Sequence, residues 1–398
     1  MDRKKNPYAP GAGTPPPELT GRDPILEDVD VLLARVIAGR SSQSILLTGL
    51  RGVGKTVLLN EFRKMAEREG YLADFIEAPE EHPLAELLAQ SLRQTLLKIS
   101  ATAKAKDLAN KALRVLKSFA LSMKIGDVEV SLGSKPEIGT ADSGNLERDL
   151  PDLFVAAGEA AKASQTGIAL LVDEIQYLSQ SDLAALIVAA HRIAQRSLPI
   201  VVIGAGLPLL PALSGDAKSY AERLFRYPHI GALESKDAIL ALTEPAKELG
   251  VEYTPDALNE IYRMTAGYPY FVQEWGSVVW DTAKRSPIAL EDVRGASREA
   301  TRRLDESFFR VRLDRVTDAE QRYLRAMAEL GKGPYKTAAV AASQKKSSAS
   351  FGPVRDSLIK KGMIYSPRYS EIDFTVPLFD EFMKRVMPPA KRKSGRKT

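Results

Sequence analysis

Two short stretches bring together residue types that handle phosphate. Gly49-Leu50-Arg51-Gly52-Val53-Gly54-Lys55-Thr56 has the spacing GxxxxGK[ST] and lies between an apolar run, Ser44 to Thr48, and a helical run, Val57 to Ala66. Glycines at these positions let the backbone curl so that successive N–H groups converge on an anion at the positive end of a helix. The ligand-binding set read from the stretch is Gly49, Leu50, Arg51, Gly52, Val53, Gly54, Lys55, Thr56 and Val57. Lys55 is expected at the β- and γ-phosphates, and Thr56 on a magnesium ion. The second stretch, Gly167-Ile168-Ala169-Leu170-Leu171-Val172-Asp173-Glu174, is a buried-strand pattern that ends in two carboxylates. Asp173 would reach the metal through the Thr56 shell, and Glu174 would polarise an attacking water.

Such chemistry needs a parallel sheet with helices on both faces, and the surrounding pattern supplies one. A helix with apolar Ile25, Val29, Leu32, Leu33 and Val36 precedes the first strand, and Asp23-Pro24 is a helix start. Strand, loop, helix and a second strand, Tyr71 to Glu77, then follow in the order that opens an α/β sheet. Helical runs cover Pro83 to about Ala120, Leu146 to Ser164 and Asp182 to Arg196, with Ser181 as cap. Pro199 to Gly204 is a continuous apolar strand, as expected where both sheet faces are covered. Met123 to Leu132 alternates around Gly126-Asp127 and predicts a hairpin, part of an insertion at about 120–145. After Gly204 five helical runs follow with no long strand between them.

The divisions expected are a flexible proline-rich leader over 1–18, a core over 19–232, a helical lid over 233–314, a winged-helix domain over 315–388 and a basic tail over 389–398. In the fourth, three helices end at Gly362 and two strand-like runs, Met363 to Ser366 and Glu371 to Val376, form the wing. Its Lys345, Lys346, Arg355, Lys360 and Lys361 lie on or beside the third helix, and Arg368 lies at the wing tip.

Composition narrows the partners. Across 398 residues there is no cysteine and only three scattered histidines, which excludes disulfides and cysteine zinc sites and argues against a histidine metal site. The basic start lacks the apolar core of a secretory signal, and the most apolar window, Leu198 to Leu213, is short and broken by proline. A cytoplasmic protein is the expectation. Net charge is +5, but it divides unevenly, at +10 over residues 315–398 and −5 over residues 1–314. An anionic partner of the C-terminal part, nucleic acid first, follows from that asymmetry.

Gly21-Arg22, the GLRGVGKT and LLVDEIQYL stretches, Ala221-Glu222-Arg223-Leu224-Phe225 and Ala266-Gly267-Tyr268-Pro269-Tyr270-Phe271 together resemble prokaryotic P-loop ATPases. The group in question is the archaeal and bacterial one related to AAA+ and STAND proteins, near origin-recognition-type initiators. The resemblance implies ATP and Mg²⁺ as ligands, an ASCE-type sheet, a helical lid and a C-terminal winged helix. It implies that Gly21 and Arg22 lie near the adenine, that Pro269 opens the lid helix facing the nucleotide, and that Arg223 reaches a neighbouring subunit's γ-phosphate. Two departures stand out: strand four ends in Ile203-Gly204-Ala205-Gly206 where a polar residue is common, and the lid turn carries Tyr268-Pro269-Tyr270-Phe271 where an arginine is common. Both point to slow turnover. The expected activity is an ATP-driven molecular switch whose basic winged helix binds DNA, in a homo-oligomer or with a protein partner and without a membrane. The alternative is a signalling or defence switch whose winged helix and insertion bind protein.

Overall fold

The computed structural model describes residues 1–388 apart from 12, 79–82, 127–134, 346 and 348. The described chain divides into two compact units, one of residues 21–49 and 54–231, the other of residues 1–20, 50–53 and 232 onward.

The first unit is built on five strands: β1 (Ser44–Thr48), β2 (Tyr71–Glu77), β3 (Gly167–Asp173), β4 (Ile200–Gly206) and β5 (Phe225–Arg226). They run parallel in the order β2-β3-β4-β1-β5. Every residue of β3 and β4 is buried, which is why both read as unbroken apolar runs rather than alternating ones. Helices Leu84–Ser100, Lys106–Ser122, Leu146–Ala163 and Gln180–Gln195 add Leu92, Leu116, Phe119, Phe154 and Leu186 to the same core as Leu170 and Val172. Burial of such side chains contributes about 1.5–3 kcal/mol each and fixes where the strand ends point. β4 lies between β1 and β3, so the loop after β1 and the carboxylates after β3 open at the same edge of the sheet, one strand apart.

Several expectations change here. The start Asp23–Ile37 is confirmed with its five apolar positions buried, but Arg22 stands at the cap and Asp23 inside the helix. Ser179, not Ser181, caps the helix Gln180–Gln195, its side chain accepting from the Asp182 N–H. Phe225 starts β5, a strand inside the stretch expected to hold helices only. Two residues pairing with Ser44 and Ile45 are too short to leave a periodic signal. The alternating run Met123 to Leu132 falls largely outside the described residues; Met123 and Lys124 are a turn that closes the helix Lys106–Ser122.

In the second unit, helices Ser235–Lys247, Pro255–Thr265, Pro269–Thr282 and Leu290–Leu304 come first. The last of these passes into a π-helical turn, Asp305–Phe309, and a short helix, Arg310–Leu313. Then follow Asp318–Glu329, β6 (Tyr335–Lys336), Thr337–Ser343, Gly352–Lys360, β7 (Ile364–Tyr365), β8 (Glu371–Phe374) and Phe379–Val386. The small sheet is antiparallel, in the order β6-β8-β7. Phe308, Phe309, Phe379 and Phe382 pack ring to ring, with Phe309 stacked on Phe382 at 5.2 Å, and tie the π-helical turn to the last helix.

The leader is not free. Tyr8 is buried, its hydroxyl donating to the Leu242 carbonyl at 2.6 Å and pairing with the Tyr253 hydroxyl at 2.7 Å. Asn6 Nδ2 donates to the Ser277 carbonyl at 3.0 Å, and Trp280 Nε1 donates to the Asp2 carbonyl at 3.0 Å. Proline-rich composition predicts that a segment cannot build a core of its own; it does not prevent a single aromatic from borrowing one.

Candidate nucleotide site

The loop Gly49–Thr56 turns from β1 into the helix Lys55–Arg68 through Gly52 and Gly54, at φ +81° and +95°. These are left-handed angles that side-chain-bearing residues adopt only under strain, so the glycines are demanded by the curl itself. Lys55 is buried, with Nζ donating to the Gly49 carbonyl at 3.0 Å across the loop it would share with an anion. Thr56 Oγ1 donates to Asp173 Oδ2 at 2.5 Å, which joins the two sequence stretches at the sheet edge. Burial pushes the Asp173 carboxyl above its ordinary value; the Thr56 hydrogen bond pulls it back, the Glu174 charge raises it, and the Glu174 N–H and the Lys55 charge lower it. A cation placed there would favour the ionised form. One hydroxyl and one carboxylate are hard oxygen donors, and so few protein ligands suit a magnesium ion that takes its remaining ligands from water and phosphate.

Glu174 stands at φ +52°, a left-handed conformation for a non-glycine residue, with its N–H donating to Asp173 Oδ1 at 2.8 Å. Backbone strain of this kind costs about 1–3 kcal/mol and persists only where surrounding structure holds it. Gln176, which no motif spacing singles out, holds the Glu174 side chain. Gln176 Nε2 donates to Glu174 Oε2, and Gln176 Oε1 accepts from the Leu207 N–H at 3.1 Å, just past the end of β4. An added Cβ on Gly206 would stand 2.8 Å from Gln176 Oε1. The missing polar residue at the end of strand four is therefore explained: the glycine leaves room for an amide delivered from the turn after β3, and that amide bonds both the Leu207 N–H and the glutamate.

The remaining expected residues are dispersed. Gly21, at φ +67°, precedes Arg22, whose Nη2 donates to the Gly231 carbonyl at 2.7 Å. Val57 is half-buried in the first turn of its helix. Pro269 is the first residue of Pro269–Thr282, in the second unit. Arg223 is exposed on the short helix Ala221–Leu224, and Gln43 Nε2 donates to its carbonyl at 2.9 Å. β5 pairs with the start of β1, whereas the phosphate loop follows its end. The two lie about 15 Å apart along the strand, at about 3.3 Å per residue, so Arg223 does not serve its own loop.

Of the C-terminal cations, Lys345, Lys360 and Arg368 are exposed, and Arg355 is half-buried in a surface pair with Asp356 at 3.0 Å. Lys361 is committed inward: its Nζ donates to Glu320 Oε2 at 2.8 Å. Glu320 also accepts from Ser357 at 2.6 Å and from the Thr317 N–H at 2.6 Å. Burial pushes its carboxyl up, but the bonds from Lys361, Ser357 and Thr317 outweigh burial and hold it down at about 2. Lys346 and the tail 389–398 lie outside the described residues.

Comparison with known proteins fits this geometry. Residues 18–203 match the AAA ATPase domain, and residues 306–383 match a domain of unknown function (DUF8462). No curated protein matches the chain. Among solved structures, a Walker-type ATPase of Pyrococcus abyssi is similar at a TM-score of 0.56 and 16% identity, over 92% of this chain and 96% of that one. The RuvB Holliday junction branch migration motor of Thermotoga maritima gives 0.42 at 15% identity, over 89% and 92%. Aeropyrum pernix ORC1 in complex with DNA gives 0.44 at 16%, over 92% and 93%. The last two likenesses are too loose to decide anything, and the first speaks to fold alone. The chain thus carries a P-loop AAA+ ATPase domain in an α/β fold with a parallel five-stranded sheet, followed by a largely helical C-terminal region. No helix among the described residues is long and apolar enough to cross a membrane.

Proposed function

We propose that the protein is a magnesium-dependent ATPase of slow turnover that works as a nucleotide switch in the cytoplasm, and that its C-terminal region binds DNA. The observation that carries the first part is the 2.5 Å bond between Thr56 and Asp173, with Lys55 buried in the same loop and Glu174 held next to it. Thr56 Oγ1 and the Asp173 carboxylate would hold the ion, which when bound neutralises phosphate charge. Lys55 binds phosphate oxygens, Glu174 orients and polarises water, and Gln176 sets the angle of Glu174. Gly21 and Arg22 at the base and Pro269 at the lid remain part of this reading. Arg223, exposed and away from its own loop, is available to a neighbouring copy's phosphate.

The DNA reading is supported by the order helix, strand, helix, helix, hairpin between Asp318 and Phe374, which is that of a winged helix, and by the +10 charge of residues 315–398. Lys345, Arg355, Lys360 and Arg368 remain as phosphate contacts once Lys361 is spent on Glu320; an exposed pair such as Arg355–Asp356 is worth at most about 1 kcal/mol and is readily given up. Tyr369, almost fully exposed between β7 and β8, adds a stacking surface beside Arg368.

Phosphate release with and without Mg²⁺ tests the ATPase, and duplex DNA titrated at two salt concentrations tests the partner. DNA affinity should fall steeply with salt and weaken on removal of residues 387–398. Binding indifferent to salt and to that removal would favour the rival reading, a signalling or defence switch whose C-terminal region docks on protein.

A further inference from the structure

The helix Pro269–Thr282 has one face whose residues suit a ligand better than a helix core. Gln273 and Ser277 are buried polar residues, and Gly276 lies in the helix interior, where glycine is destabilising relative to alanine. With Trp280 and Asp281 they recur at three- and four-residue spacing and so share a face. That face holds the leader. Asn6 Nδ2 donates to the Ser277 carbonyl at 3.0 Å, to Ser277 Oγ at 3.2 Å and to Asp281 Oδ1 at 2.8 Å. The Ala9 N–H donates to Gln273 Oε1 at 3.1 Å, and Trp280 Nε1 donates to the Asp2 carbonyl at 3.0 Å. Arg3 pairs with Asp281 at 3.5 Å.

Tyr8 fills the space that Gly276 leaves. A Cβ there would stand 2.8, 2.9 and 3.0 Å from three atoms of the Tyr8 ring, and past the ring the hydroxyl meets the Leu242 carbonyl and the Tyr253 hydroxyl. Trp280 closes the side, edge-on at 6.3 Å. Leader and helices alike belong to the second unit. Gln273 and Trp280 read the leader's backbone, while Asn6 and Tyr8 are read as side chains; Asn6 Oδ1 accepts from the Tyr8 N–H at 3.1 Å and so holds the turn that presents both. A groove recognises a short peptide in this way. The leader brings one 3₁₀ turn, Arg3–Lys5, and the described residues of 10–19 that follow form neither helix nor strand.

We propose that this face is a docking groove for an Asn-Pro-Tyr segment and holds the leader reversibly, so that the leader of a second copy takes the place of the chain's own. The contacts are the same in either case, because both copies carry one leader and one groove of identical sequence. Only the tether differs. Residues 10–19 reach about 35 Å when extended, at about 3.3–3.6 Å per residue, and their four prolines favour that extension. A tether of this length presents the chain's own leader at an effective concentration of about millimolar. One ring and a few hydrogen bonds then keep the groove filled in a lone chain, while a neighbouring copy held close by competes on nearly equal terms.

The test uses full-length chains and a fluorescent peptide of residues 1–11, without nucleotide. Tyr8→Ala empties the groove, whereas Gly276→Ala fills it with a side chain that the helix itself favours, so the first should bind the peptide and the second should not. Wild type should bind it at least about tenfold more weakly than Tyr8→Ala, because its own leader competes. On the Tyr8→Ala protein, peptides carrying Asn6→Ala or Tyr8→Ala should lose about tenfold or more in affinity. Mixing the Tyr8→Ala and Gly276→Ala proteins, neither of which fills its own groove, should give by light scattering a complex that neither gives alone and that excess peptide dissolves. A third protein keeps every native side chain: a protease site inserted between Pro15 and Pro16 is cut after folding, and the cut leader should exchange for labelled peptide. Peptide that enters neither the Tyr8→Ala nor the cut protein overturns the groove. Binding unaffected by the peptide substitutions overturns recognition of Asn-Pro-Tyr, and peptide binding with no mixed complex overturns the second copy as partner.

Discussion

The carboxylate edge of the parallel sheet and the buried surroundings of Arg312 in the second unit treat charge in opposite ways. At the sheet edge each polar group has a counterpart: Thr56 with Asp173, Asp173 with the Glu174 N–H, Glu174 with Gln176, and Gln176 with the Leu207 N–H. In the second unit, Arg312 is packed over the Phe308 ring at 4.0 Å, and its Nε and the Tyr268 hydroxyl are buried with no hydrogen-bond partner. A site finished before its ligand arrives is suited to chemistry, because nothing has to reorganise during the reaction. A buried guanidinium with no carboxylate beside it instead bears the cost of burial, which lowers Arg312 to about 10.

The largest effect that would break this contrast comes from Lys55→Ala. It should lower nucleotide affinity at least about a hundredfold by removing charge-assisted bonds of about 1.5–3 kcal/mol each, and abolish any rise in melting temperature with ATP. Glu174→Gln should keep ATP affinity near wild type while phosphate release falls about 10²–10⁴-fold; normal release would remove the glutamate from the chemistry. Gln176→Ala sharpens the comparison. If the paired edge matters through orientation, turnover should fall about tenfold with little change in affinity, and its pH profile should keep its shape, since Gln176 holds no proton.

A smaller effect is expected far from the loop. Glu320 has its carboxyl held at about 2 against an ordinary value near 4.5, so its contribution to stability is complete above about pH 4.5 and is lost as pH falls toward 2. Acid melting of Glu320→Gln should lack that portion of the pH dependence and start lower at neutral pH by about 1–3 kcal/mol, the cost of breaking a hydrogen-bonded charge pair. Identical curves for the two proteins would return Lys361 to the pool of free cations.

What was legible in the sequence is what is local. The loop after β1 and the acid pair after β3 are each set by a run of eight residues, and the order of strands and helices around them follows from hydrophobic period. β5 escaped because two residues carry no period. Gln176 escaped because its role depends on how β4 lies against the turn after β3, and neighbours across a sheet have no fixed spacing along the chain. Arg312 escaped for a different reason. It is one of many arginines between Leu290 and Val316, and only tertiary packing on Phe308 separates it from the exposed ones. The leader escaped because composition describes what a segment can do alone, whereas Tyr8 is anchored by Leu242 and Tyr253.

Positions 176 and 206 occupy one volume between them, because the amide oxygen of Gln176 stands 2.8 Å from where a side chain at Gly206 would begin. Evolution can place the orienting group on the turn after β3 or at the end of β4, but not on both. A library randomising the two positions, selected for turnover, should return a large polar residue at one only when the other is glycine, and transplanting one member of such a pair without its mate should silence an otherwise intact domain.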